Sequence, residues 1–100
     1  MAEIKNAILG GNYRFSIHAR RQMSDRRITL EEVEEAISSG EVIENYPDDK
    51  YRPSCLILGF TSSFRPLHIQ CCKPIPEAVI VTCYEPDPGE WENFRIRLKR

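Results

Sequence analysis

Residues 65–86, RPLHIQCCKPIPEAVIVTCYEP, constrain the fold more than any other stretch of the chain. Two apolar-rich arms flank a proline-bearing connection, and successive side chains of a strand point to opposite faces. In the first arm Leu67, Ile69 and Cys71 point one way, and His68, Gln70 and Cys72 the other. In the second, Val79, Val81 and Cys83 share a face, and Ile80, Thr82 and Tyr84 take the opposite one. Pro74 and Pro76 cannot donate ladder hydrogen bonds and mark the connection. Matching the apolar sets leaves His68, Gln70, Thr82 and Tyr84 on one polar surface, where a functional site is expected.

The elements before this hairpin are read from periodicity and punctuation. Ile4, Ala7 and Ile8 have helical spacing, and Gly10 and Gly11 stop that helix. Residues 12–15 form a connector or a brief extended piece. Ser16 is a good N-cap for a second, mostly polar helix over 17–27. Thr29 and Glu32 make a capping-box pattern for a third helix, with Leu30, Val33, Ala36 and Ile37 as its buried stripe. Strands follow at 42–46 and 54–61; the second is apolar on both faces and so is covered on both sides. After EPDPG, Trp91 and Phe94 are expected to fold back over a sheet edge or a helix. The tail 95–100 is either a further strand or a loose basic end. Helices followed by a meander give an α+β fold: two to three N-terminal helices on one face of a four-stranded antiparallel sheet, with the other face open.

One hundred residues suit a single domain with one modest core. An apolar fraction of 41% and a charged fraction of 29% exclude a disordered chain. No apolar run is long enough to span a bilayer and no export signal is visible, so a cytoplasmic protein is expected. In that setting Cys55, Cys71, Cys72 and Cys83 are expected to be reduced core thiols. The net charge of -1 hides an uneven distribution. Arg14, Arg20, Arg21, Arg26 and Arg27 lie close together, whereas residues 31–49 hold eight carboxylates and no Lys or Arg.

Three groups of residues can carry chemistry. His18 and His68 can act as general base and acid near neutral pH, provided the fold brings them together; otherwise one is a surface residue and the other a hydrogen-bonded sheet residue. Tyr84 either anchors the sheet through its hydroxyl or contacts phosphate and transfers a proton. Arg26, on a helical stripe with His18 and Gln22, is the leading anion binder, with Arg20, Arg21 and Arg27 steering a polyanion. Arg52 and Arg65 can contribute from strand starts. Alternatively, these cations simply balance the acidic third helix. No cofactor is expected, and no spacing favours a metal.

The run HARRQMSDRRITLEEVEEAISSGEVIENYPDD, followed by PSCLILGF, RPLHIQC and VIVTCYEPDPGEW, resembles the bacterial domain-of-unknown-function family 4258 over residues 15–91. That family looks related to small ribonuclease toxins of the RelE and BrnT kind. The resemblance implies a RelE-like fold and metal-independent RNA cleavage, with RNA as substrate and an antitoxin-like protein as partner. His18, Arg26, His68 and Tyr84 fall on the family pattern. Gln22 stands where an Arg is usual, and Arg27 where a Gly is usual. The alternative function is a non-catalytic module that binds another protein through the acidic third helix or a sheet edge.

Overall fold

The computed structural model of the chain describes residues 1–50, 52–74 and 76–98. Lys99 and Arg100, the end of the basic tail, lie outside them. Three helices, α1 (Ala2–Leu9), α2 (Ile17–Arg26) and α3 (Leu30–Ser38), precede most of the sheet. A short strand β1 (Tyr13–Phe15) lies between the first two helices. Strands β2 (Glu41–Tyr46), β3 (Ser54–Phe60), β4 (Pro66–Cys72) and β5 (Ala78–Tyr84) follow, and β6 (Trp91–Glu92) and β7 (Ile96–Arg97) end the chain. Among the described residues no helix is long and apolar enough to cross a membrane.

The four-stranded antiparallel meander is not what forms. The sheet has five strands in the order β1-β5-β4-β3-β2, with β1 parallel to β5, and a separate two-stranded ribbon joins β6 to β7. The meander β2–β5 is present inside this larger sheet. Strand β1 escapes a local reading because its partner lies more than sixty residues on (Tyr13 opposite Ala78, Phe15 opposite Ile80). A parallel pair carries no hairpin signal, since it needs a long crossover.

The helices cover one face. Ile4, Ala7, Ile8, Val33, Ala36 and Ile37 meet Ile57, Leu67, Ile69, Cys71, Ile80 and Cys83 in one core. Each large side chain buried there contributes about 1.5–3 kcal/mol relative to exposure. The second arm departs from strict alternation: Gln70 pairs with Thr82, but Cys71 pairs with Ile80, leaving Val81 as a bulge. One inserted residue reverses the facing of everything before it. Ile80 therefore joins Cys83 in the core, while Val79 takes the other face. The capping box of α3 forms, with Thr29 N–H donating to Glu32 and Glu32 N–H to Thr29 Oγ1. Leu30, expected in the stripe, is 44% exposed at the helix entry. Gly10 is right-handed and Gly11 supplies the left-handed turn (φ 80).

Gly59 sets how close α3 comes to the sheet. A Cβ there would fall within hard contact of Ala36 O, so backbone packs on backbone. The face expected to be open is also partly covered. The β6–β7 ribbon lies on it above His68, and Trp91 is 4% exposed. All four cysteines are free and buried.

Candidate functional site

Helix α2 takes up the edge of β5 that β1 leaves unpaired. Ser16 N–H donates to Ile80 O at 2.9 Å, and Ser16 Oγ donates to Val81 O at 3.0 Å while accepting from Ala19 N–H at 3.0 Å. Further on, Cys83 N–H donates to Gln22 Oε1 at 2.8 Å. Gln22 thus replaces a missing strand neighbour, a task that needs an acceptor and that an arginine could not perform. Ala19 is fully buried beneath the helix. Arg27 closes α2 in the left-handed conformation, φ 53 and ψ 48, where glycine is the residue of least strain. Arg65 then donates to Arg26 O at 2.7 Å and Arg27 O at 3.1 Å, satisfying the helix's terminal carbonyls.

This docking turns His18, Arg20, Arg21, Arg26 and Arg27 to solvent. Among the described residues no carboxylate pairs with any of these arginines. Three of the four carboxylates of α3 are engaged elsewhere: Glu32 with Arg65, Glu34 with the Tyr13 hydroxyl, and Glu35 with Ser62 N–H. The arginines of α2 therefore do not balance α3 through ion pairs. They form an exposed cationic stretch along the helix that carries His18, opposed there only by the exposed carboxylate of Asp25.

His68 has the opposite environment. It is fully buried. Its Nε2 lies 2.6 Å from Phe94 O, and its Nδ1 lies 3.1 Å from the Tyr84 hydroxyl. A carbonyl only accepts, so Nε2 carries the proton and Nδ1 accepts from Tyr84. The Trp91 ring stands perpendicular to the imidazole with centroids 4.4 Å apart. Arg97 lies over Trp91, its Cζ 4.7 Å from the ring centroid, and forks onto Glu44 at 3.0–3.2 Å. Burial pushes the His68 pKa down, with Arg97 adding to that, against the Phe94 carbonyl and Glu44. Burial also raises Tyr84. Arg97 is raised by its hydrogen bonds to Glu44. Phe94 sits at φ 62, an unfavourable setting for a bulky residue. Its carbonyl bond to His68 and edge contact with Phe60 hold it there.

The structure thus unites His68 with Tyr84, and Gln70 with Thr82 (3.4 Å), on one sheet face. It groups His18 with the α2 arginines. No hydrogen bond or ring contact among the described residues joins His18 to His68 or Tyr84. Arg65, expected to bind an anion, instead ties α2 to Glu32 and Glu85. The latch formed by Gln22 has no local sequence signal, because its partner is distant in the chain; Trp91 and Phe94 fold back as expected, but over the sheet face at His68 and not over an edge or a helix. Among the described residues no group of three or more His, Cys, Asp or Glu is placed to hold a metal ion.

No curated protein and no solved structure matches the chain. A family model does match it, over residues 15–85, which run from the last residue of β1 through β5 and include α2, His68 and Tyr84. The chain therefore belongs to the family described as Domain of unknown function (DUF4258).

Proposed function

We propose that the protein binds RNA through the exposed face of α2 and cleaves it without a metal, as a toxin-like ribonuclease restrained by a partner protein. The observation that carries this reading is the set Arg20, Arg21, Arg26 and Arg27, exposed along the helix that also carries His18, with no carboxylate paired to them among the described residues. Guanidinium groups stay charged at every relevant pH and match phosphate oxygens in pairs. The resemblance to RelE- and BrnT-type toxins supports the cleavage step. In that step His18 removes the ribose 2′ proton and the 2′ oxygen attacks phosphorus. The arginines stabilise the phosphorane, and the bond to the 5′ oxygen breaks as that oxygen takes a proton from water. His68 and Tyr84, already bonded to each other, hold the sheet and its covering ribbon.

A second reading, binding without turnover, is favoured by the burial of His68, which withdraws the second imidazole from any acid–base pair. Digestion of structured and unstructured RNA in the presence of a chelator separates the two. Wild type is expected to cleave, and His18→Ala to lose about 10²–10⁴-fold in rate while still binding. RNA bound but uncleaved by wild type would establish the second reading; neither binding nor cleavage would remove both.

A further inference from the structure

The turn between β3 and β4 carries a second surface, independent of RNA binding at α2. Phe64 is 83% exposed there, at φ 65. A bulky aromatic in the left-handed region, offered to water, is unfavourable twice over. Mobility is not the reason, because the turn is fixed by hydrogen bonds. Phe64 N–H donates to Thr61 O at 2.9 Å, Thr61 N–H to Arg65 O at 3.0 Å, and Arg65 N–H to Thr61 Oγ1 at 3.1 Å. The turn is also tied to α3: Ser62 N–H donates to Glu35 Oε1 at 3.1 Å, and Ser39 Oγ donates to Phe60 O at 3.1 Å. Between the turn and the end of α3 lies an open groove of about 610 Å³, walled by Phe60 and Phe64 on one side and by Glu35, Ser38 and Ser39 on the other.

The charge around the groove selects its occupant. Glu35 lines the groove, and Glu31 lies one turn before it, exposed. Neither forms an ion pair among the described residues. The nearby cations are turned away, Arg65 to Glu32 and Glu85, and Arg95 to Glu41. The C-terminal end of α3 adds its own partial negative charge. Nucleic acid or an acidic segment would meet like charge here. We propose that this groove docks a basic peptide segment of a partner protein, with an apolar side chain seated against Phe64 and its Lys or Arg residues over Glu31 and Glu35.

Selection of phage-displayed random peptides on the immobilised full chain tests this directly. The counter-selection uses Phe64→Gly, which removes the ring while suiting the positive φ and so preserves the fold. Enriched peptides are expected to be basic with an aromatic or aliphatic anchor. Synthetic copies are expected to bind Phe64→Gly and Glu31→Lys about tenfold or more weakly in fluorescence anisotropy, and an Arg20→Ala/Arg21→Ala variant as tightly as wild type. Acidic peptides, equal binding to Phe64→Gly, or no enrichment would overturn the assignment. A wild-type dimer in sedimentation that Phe64→Gly dissociates would also overturn it, making a second copy of the chain the occupant.

Discussion

Arg27 ends α2 in a conformation that costs a residue with a side chain about 1–2 kcal/mol relative to glycine. Arg27→Gly should therefore raise the unfolding free energy by about 1 kcal/mol in urea denaturation, and lower RNA affinity by removing one cation. Stability and affinity pull in opposite directions at this residue. His68 makes a pH-dependent contribution whose sign follows from its depressed pKa. The unfolded chain binds the extra proton first, so the native state is favoured fully above about pH 6.5. That contribution is lost as pH falls from there towards the lower folded value. Thermal melts should show the midpoint falling between pH 7 and pH 5, with a flatter profile in His68→Gln. Trp91 is the sole tryptophan and touches the imidazole, so its emission in the folded protein should change where the buried imidazole takes its proton, below the unfolded value. A melting temperature equally pH-dependent in wild type and His68→Gln would contradict this assignment.

At the scale of elements, two backbone contacts decide the arrangement. Gln22 holds α2 on β5 by accepting from Cys83 N–H. Gln22→Ala should cost about 1–3 kcal/mol by leaving that amide unpaired and should accelerate its hydrogen exchange, whereas Gln22→Glu keeps the acceptor and most of the protection. Gly59 lets the backbone of α3 rest on β3, and Gly59→Ala should cost about 3 kcal/mol or more, read as a lowered denaturation midpoint. The helices were legible in the sequence because caps and periodicity are local: Ser16, Thr29 and Glu32 act as their positions imply. The bulge at Val81 was not, because a run of Val, Ile and Val suits either face and only the pairing with β4 fixes which side Ile80 takes. Residues 12–15 and the tail each had a strand among their readings, but the pairing of β1 with β5 and of β6 with β7 was hidden for a related reason. Three- and two-residue strands are too short to show a period.

For the whole molecule, a net charge of -1 conceals a division between a cationic α2 and an acidic α3–β2 region. The sequence pattern placed His68 and Tyr84 on one sheet face, and the fold brings them into contact. It led to the expectation that Trp91 and Phe94 fold back, but not that they close over this pair, since that depends on where the C-terminal segment returns. Nor could it show that the α2 arginines would be free of α3, which depends on Arg65 occupying Glu32 from another direction. The central claim is that α2, whose arginines have no ion-pair partner among the described residues, is the surface that meets RNA. Its most direct test is the salt dependence of RNA affinity for wild type and for a variant carrying Arg20→Ala, Arg21→Ala and Arg26→Ala. Wild-type affinity is expected to fall steeply as salt rises. The variant should bind more weakly at low salt, with the slope reduced by about 0.7 for each phosphate that it no longer neutralises. Equal affinities and equal slopes for the two proteins would contradict the claim.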